Sequence, residues 1–365
     1  MDIIKKVIKR FIKPLLVLIK TIVFIKNDKA TTRNTVAYTF RVSGWKQDYV
    51  KAFLSEYDVR YVPFNVNIKW LKKKILRHPN KVFIVWGFNE EDSVREFAKE
   101  HDIQIYRLED GFVRSSGLGS MHTLPYSLCL DKRGMYFDSS QASDLEDILN
   151  NFNFLDDPGL LVRAKKALDM LKELRVSKYN HIPTKDINEI YGEKKNRRIL
   201  VIGQVEDDAS IKKGCNQIVT NNDIVFLARK ENPEAEIFYK PHPDVLTGRR
   251  PMQSNPKKVV DIAKVIEEPL SLIDSFETID HVYTITSLSG FEALIRGISV
   301  TTIGAPFYSG WGLTDDRQMT TRRRRSLSVE ELFAAAYIIY PRYLDPINKE
   351  PLTLEETIKR IKSEI

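Results

Sequence analysis

Residues 199–211, ILVIGQVEDDASI, constrain the fold more than any other stretch of the chain. The apolar run 199–202 reads as a strand buried on both faces, the mark of a parallel sheet covered by helices. Gly203 then opens a turn that holds the carboxylates of Glu206, Asp207 and Asp208 and the hydroxyl of Ser210. In an open α/β sheet, ligands bind at the carboxyl ends of the strands. Carboxylates clustered there are an acid/base or nucleophile site, or else a helix N-cap with acids in its first turn.

The same strand–turn–helix order recurs along the chain. Residues 36–42, 81–87 and 103–108 read as strands, with helical stretches after residue 45 and over 91–100. Residues 127–130 and 134–137 are expected to pair as a short hairpin. A helix is expected over 159–175. Residues 177–198 are polar and broken by Pro183 and Gly192, which places a linker at 181–198. A second block follows, with strands at 199–202, 236–239, 281–285 and 299–303. Its helices are expected near 220–231, 259–264 and 290–296, with closing helices at 328–340 and 353–364. Strands alternating with helices predict an α/β protein of two Rossmann-like domains. These are residues 31–180 and 199–340, with a closing segment at 341–365. Two such blocks match the architecture of GT-B glycosyltransferases, in which the domains face a cleft that holds the site.

Charge is unevenly placed. Residues 1–30 hold eight basic and two acidic side chains, so they carry +6 of the chain's +8. The body is nearly neutral, which excludes general nucleic-acid binding. Ile3, Ile4, Val7, Ile8, Phe11, Ile12 and Leu15 recur at helical spacing between lysines. They predict a basic amphipathic segment over 1–30 that lies on an anionic membrane surface. The next apolar run, 15–25, is interrupted by Lys20 and falls short of the ~20 residues a span requires. A helix docked on the body or on a partner chain, and a short membrane span, are the alternatives. Cys129 and Cys215 have no metal-ligand spacing around them, so neither a disulfide framework nor a structural zinc site is expected.

Three further turns carry chemistry. Glu109-Asp110-Gly111 follows the strand at 103–108, and Arg114 nearby favours the ionised form of an adjacent acid. A carboxylate at a strand end suits general acid or base work. Lys240-Pro241-His242-Pro243 follows the strand at 236–239 and places a cation and an imidazole on a rigid turn, suited to one phosphate. Thr286-Ser287-Leu288-Ser289 opens a helix after the strand at 281–285, where backbone N–H groups and two hydroxyls favour an anion; Glu292 lies one turn on. Each turn also has an ordinary structural explanation as a cap or local ion pair. No Walker A or HExxH motif is present; Glu206-x-Asp208 imitates a metal-binding Asp-x-Asp, but no metal is expected. The run Arg322-Arg323-Arg324-Arg325 reads as a solvated basic face, or as a dock for a polyanionic acceptor.

Taken together the blocks resemble the capsule-polysaccharide β-Kdo transferases, where Kdo is 3-deoxy-manno-octulosonic acid. The matching pieces are RLEDGFVRSSGLGS at 107–120, SLCLDKRGMYFD at 127–138, ILVIGQVEDDASI at 199–211 and YKPHPDVLTGRR at 239–250. They continue with TSLSGFEALIRGISVTTIGAPFYSGWGLTDDR at 286–317 and LFAAAYIIYPRYLDP at 332–346. Members often carry two such modules; this chain carries one, which looks more like the second. The resemblance implies a cytoplasmic enzyme, peripheral on the inner membrane, that moves β-Kdo from CMP-Kdo to a glycolipid or oligo-Kdo acceptor and needs no other cofactor. Capsule assembly proteins are the implied partners. It further implies double displacement, with Asp208 as nucleophile and Glu109, or failing it Asp110, as acid/base. Lys240 and His242 would hold the CMP phosphate, and Ser287, Ser289 and Glu292 would complete a nucleotide site that also takes in Gln204 and Arg114. The acidic, His-Pro and Ser-rich turns are similar to those of bacterial sialyltransferases, so another CMP-linked ulosonic acid is an alternative donor. A catalytically silent glycolipid-binding module is the alternative outside enzymes.

Overall fold

The structure, a computed structural model, describes residues 12–27, 33–117, 121–178, 180 and 182–365. The amphipathic stretch expected from residue 3 lies, up to residue 11, outside the described residues. The chain forms two compact units. The first is Met1–Glu109 with Leu128–Arg133 and Pro346–Lys349; the second is Asp110–Ser127, Gly134–Asp345 and Glu350–Ile365.

The first unit is built on β1 (Val36–Phe40), β2 (Asp58–Tyr61), β3 (Lys81–Trp86), β4 (Ile105–Asp110) and β5 (Ser127–Asp131). Their order is β5-β4-β3-β1-β2, and β2, β1, β3 and β4 pair in parallel. The apolar runs of β1 and β3 supply the centre of its core with Tyr38, Phe40, Phe83 and Val85, against Val94 and Phe97 of the helix Asp92–Glu100. A helix at Lys13–Lys26, started by Pro14, lays Val17 and Phe24 on this core and buries Thr21. Lys74 closes its end, donating from Nζ to the carbonyls of Ile25 (3.2 Å) and Asn27 (3.0 Å).

The second unit holds β6 (Arg198–Ile202), β7 (Glu236–Lys240), β8 (Lys264–Val265), β9 (His281–Thr284), β10 (Ser299–Thr302) and β11 (Asp315–Asp316). All pair in parallel, in the order β8-β7-β6-β9-β10-β11. The chain starts at β6, builds outward to β8, then returns to lay β9 on the other side. This is the doubly wound dinucleotide-fold order, with its switch point between β6 and β9. Ile199, Val201, Ile237, Tyr239 and Tyr283 form its core with the helix Asn221–Glu231. A short antiparallel pair, β12 (Arg342–Leu344) and β13 (Pro351–Leu352), precedes the closing helix Leu354–Ser363, which buries Ile358 and Ile361.

Four sequence expectations differ. Residues 134–137 form a turn rather than the second arm of a hairpin. Gly134 packs so close to Ala142 that a Cβ would stand 2.5 Å from its carbonyl oxygen, and Met135 turns inward. The helix expected over 259–264 is a 3-10 turn at Pro256–Val259, because Asn255 caps it and Pro256 starts it earlier. The segment read as a linker carries a helix, Ile187–Tyr191, whose Tyr191 ring stacks on Phe238 at 4.0 Å. The helix at Val329–Phe333 loosens into a π-helical stretch, Ala334–Ile339.

Candidate functional site

Because β6, β7 and β9 are parallel, residues 203–208, 240–243 and 285–289 all leave the second unit's sheet at its carboxyl edge. Gly203 permits the approach of the first two turns. A Cβ there would stand 3.0 Å from Pro241 Cα and 3.1 Å from the Lys240 carbonyl oxygen, to which the Gly203 N–H donates at 2.8 Å.

Asp208 caps the helix Ala209–Gly214, as the structural explanation of this turn requires. Its Oδ1 accepts from the Ser210 N–H (2.9 Å) and the Ser210 hydroxyl (2.8 Å). The two bonds fix the carboxylate and leave Oδ2 without a hydrogen bond among the described residues. Asp207 is engaged differently. Its Oδ1 accepts from Arg250 Nη2 at 2.7 Å, which holds the carboxyl below the ordinary aspartate range. Glu206 is tied into the turn: its oxygens accept from the Asn221 N–H (2.6 Å), the Ser254 hydroxyl (2.6 Å) and the Ser254 N–H (2.9 Å). Among the described residues no group of three or more His, Cys, Asp or Glu side chains is placed to hold a metal ion.

His242 caps the short helix Pro243–Leu246, its Nδ1 accepting from the Asp244 N–H at 3.1 Å. That bond puts the neutral ring's proton on Nε2, the nitrogen left for a ligand. Burial pushes its pKa down, and the carboxylates of Asp244 and Asp208 oppose this. Lys240, at the end of β7, is half-buried, and desolvation lowers its pKa to about 8. Its ammonium makes no hydrogen bond or ion pair among the described residues. A cation held this way is costly unless an anion joins it. Arg250 completes the group; it pairs with Asp207 and feels the charge of Asp208 and Asp244. In the sequence Arg250 is only the last residue of the block at 239–250. Its pairing with Asp207, 43 positions away, has no local signature.

Gln204 occupies the β6–β9 switch point. Its Oε1 accepts from the Thr286 N–H (2.8 Å), its Nε2 donates to Thr286 Oγ1 (3.2 Å), and its backbone exchanges two bonds with the Asn221 side chain. With both amide atoms engaged, it braces the turn around Asp208. Ser287 caps the helix Leu288–Leu294, its Oγ accepting from the Ser289 N–H at 3.1 Å. The Gly290 N–H bonds back to the Ser287 carbonyl, so two donors expected for an anion are already satisfied. Glu292 is only 2% exposed, and its Oε1 accepts from the Lys178 N–H at 3.0 Å. Burial raises its pKa while Arg296 opposes the rise. Its carboxylate serves the chain rather than the sheet edge.

The acidic turn is anchored from two sides. Phe112 is buried against Tyr136 and Phe307, each 4.8 Å away. Arg114 is 0% exposed and donates to Asp110 Oδ2 (2.7 Å), Ser115 Oγ (2.7 Å) and the Thr123 carbonyl (3.0 Å). Arg114 therefore positions this loop, and Asp110 is locked to it. Glu109 is the last residue of the first unit's main segment. Its carboxylate faces Gly87, where a Cβ would stand 3.3 Å from Oε2, so the glycine's positive φ and missing side chain make room for it.

The arginine run is neither solvated nor presented to an acceptor, except at Arg324. Arg322 binds Glu146 (2.6 Å) and the Ser139 carbonyl (2.8 Å), Arg323 is buried on Glu146 and Ser309, and Arg325 donates to the Phe152 carbonyl (2.9 Å). They clamp loops of the second unit together.

Set against known proteins, residues 82–190 and 162–343 match the model of the family described as "Capsule polysaccharide biosynthesis protein". The chain is also 45% identical over 317 residues to the lipopolysaccharide-processing protein LpsZ of Rhizobium meliloti, covering 86% of itself and 71% of that protein. The chain belongs to the capsule polysaccharide biosynthesis family. A second member, the capsule polysaccharide modification protein LipA of Neisseria meningitidis, is 39% identical over 330 residues; the chain spans 45% of its length. Among solved structures, the β-Kdo 2,4 transferase of Thermosulfurimonas dismutans KpsC superposes with a TM-score of 0.77 at 33% identity, over 89% of this chain and 98% of that one. The β-Kdo 2,7 transferase of the same KpsC gives 0.71 at 34% identity, over 90% and 99%. For this family member the expected α/β class, with two Rossmann-like sheets, is the one found.

Lys240 gives a prediction independent of any substrate. A lysine whose folded pKa is about 8, against an ordinary 10.5, binds its proton more weakly folded than unfolded. The destabilisation is full below pH 8 and is relieved as pH rises from there toward 10.5. Lys240→Met should therefore melt at a higher temperature than the parent at pH 7, with the gap narrowing at alkaline pH. A lower melting temperature at pH 7 would show that the ammonium is well solvated.

Proposed function

We propose that the protein transfers β-Kdo from CMP-Kdo to a glycolipid or Kdo-terminated acceptor, in capsule linker synthesis, with the donor configuration retained. The observation that carries this is the likeness to solved β-Kdo transferases over about nine-tenths of both chains. The residues at the edge of β6 and β7 supply a consistent chemistry. Asp208 Oδ1 is held by its cap bonds, and Oδ2 attacks the anomeric carbon as the bond to the CMP phosphate breaks. Lys240 and the His242 Nε2–H take up the charge that develops on the leaving phosphate. Glu109 then removes the proton of the acceptor hydroxyl, which displaces Asp208 in a second inversion, so that two inversions give net retention. Asp110, Arg114 and Gln204 hold these turns; Ser287, Ser289 and Glu292 remain proposed for the nucleotide side, with Glu292 acting through the chain it supports. A single phosphate requires less neutralisation than a diphosphate, and the cations of this edge suffice for it. Under this proposal the enzyme works at the cytoplasmic face of the inner membrane, with capsule assembly proteins as its partners.

Calorimetry with CMP tests the nucleotide half. His242→Ala should weaken binding by about 1–3 kcal/mol, the cost of a lost charge-assisted hydrogen bond. A bound phosphate accepts from the Nε2–H of the neutral ring, the tautomer that the Asp244 N–H fixes through Nδ1. Binding of CMP-Kdo should weaken as pH rises beyond about 8, where Lys240 of the free protein loses its proton. Unchanged affinity in the alanine variant would move the phosphate site, toward Ser287 and Ser289.

A further inference from the structure

We propose that the outward face of the helix Lys13–Lys26 is a docking surface for an anionic lipid bilayer, on which the helix lies flat without crossing. The inference is independent of the reaction proposed above. The helix is apolar nearly all round, and only one side is covered. Val17, Thr21 and Phe24 face the first unit's core. At 100° per residue, Leu15, Leu16, Leu18, Ile19, Ile22 and Val23 share the opposite arc, and each is more than 40% exposed, up to 59% at Val23. Six large aliphatic side chains on one bare arc are far from the scattered exposure that is ordinary on soluble proteins.

Charge decides the occupant. Lys13, Lys20 and Lys26 are all exposed, and residues 13–27 contain no carboxylate. Two copies packed through this face would bring lysines together with no acid on either helix to pair them. An anionic headgroup layer offers the complementary charge, with acyl chains beneath for the aliphatic arc. The described helix has fourteen residues and rises about 21 Å, less than the ~30 Å hydrocarbon core. Among the described residues no helix is long and apolar enough to cross a membrane. The Lys74 bonds to the carbonyls of Ile25 and Asn27, with the Val17 and Phe24 contacts, tie the helix to the first unit. Lipid contact therefore fixes the orientation of that unit, rather than tethering it through a free segment.

Flotation of the full chain with vesicles of phosphatidylcholine, with and without phosphatidylglycerol, tests this. The protein should float with the anionic vesicles and bind neutral ones at least about tenfold more weakly. A Leu16→Asp, Ile19→Asp, Val23→Asp triple variant should lose anionic binding by about tenfold or more. Because the replaced residues are exposed, its melting temperature should match the parent's. A Lys13→Gln, Lys20→Gln, Lys26→Gln variant should bind anionic vesicles more weakly and depend less steeply on salt. Failure of the parent to float, or equal binding to both vesicle types, would overturn the proposal. So would a parent that dimerises in sedimentation and a triple Asp variant that is monomeric, with neither binding vesicles; a second copy would then cover the face.

Discussion

Asp208→Ala should lower transfer by about 10⁴-fold or more, the scale of losing a catalytic nucleophile, while CMP affinity stays within a factor of a few. The alanine also removes an N-cap, which costs about 1 kcal/mol. That loss alone cannot account for a collapse in rate if the protein remains folded. Asp208→Asn separates the two roles. Asparagine caps as well as aspartate does, so the Ser210 bonds survive and the melting temperature should equal the parent's. Its amide is no nucleophile, so transfer should still fall to the level of the alanine variant. In the parent, a slow acceptor should let a Kdo–enzyme adduct accumulate, visible as added intact mass and mapped to the peptide that holds Asp208. Near-normal turnover in the asparagine variant would leave Asp208 as a cap alone.

The largest stability effect is expected at Arg323. Its side chain is 3% exposed. It donates to Glu146 Oε2 (3.1 Å), the Pro306 carbonyl (2.5 Å) and both the carbonyl and hydroxyl of Ser309 (2.8 Å each). Arg323→Ala takes the guanidinium donor from the Ser309 carbonyl and from Glu146, while the Pro306 carbonyl keeps its bonds from Ser309, and it opens a cavity beneath Trp311, whose ring lies 5.8 Å from the guanidinium carbon. Breaking a buried ion pair in this way costs about 3–5 kcal/mol. The loss should fall at the lower end, because Glu146 keeps its bond to Arg322 at 2.6 Å. Arg323→Lys should recover little, since an ammonium has no planar fork with which to reach Glu146 and Ser309 together. Arg324→Ala, one residue on and exposed, should stay within about 0.5 kcal/mol. Urea unfolding of the three variants measures the contrast. Equal stabilities would return the run to the solvated face expected from its composition.

The central strands were legible because their signal is local. The runs in β1, β3, β6 and β7 are apolar, rich in β-branched and aromatic residues, and end at Gly, Lys-Pro or acidic turns, so their type follows from a few neighbours. β2 escaped notice because Asp58-Val59-Arg60-Tyr61 is short, half-buried and polar at alternate positions. The short strands β8, β11, β12 and β13 are two or three residues long, below any periodic signal. At the candidate site, the turns holding Asp208, His242, Ser287 and Glu109 could be located from sequence alone. What each side chain does within its turn could not. Glu292 and Arg114 read as ligand contacts because charged residues next to a strand end usually face solvent. Their burial is decided by Lys178 and Arg296 in one case and by Thr123 and Ser115 in the other. The arginine run misled for the same reason: its partner Glu146 lies 176 positions from Arg322, and composition carries no information about such a pairing.

The most direct measurement is the anomeric configuration of the product formed by the purified protein. It would be incubated with CMP-Kdo, and separately with CMP-sialic acid, in the presence of synthetic glycolipid and oligo-Kdo acceptors. Transfer from CMP-Kdo alone, giving a β-linked Kdo residue by nuclear magnetic resonance, is the predicted result. Transfer from CMP-sialic acid instead, an α-linked Kdo product, or no transfer by a protein that binds CMP normally would contradict it.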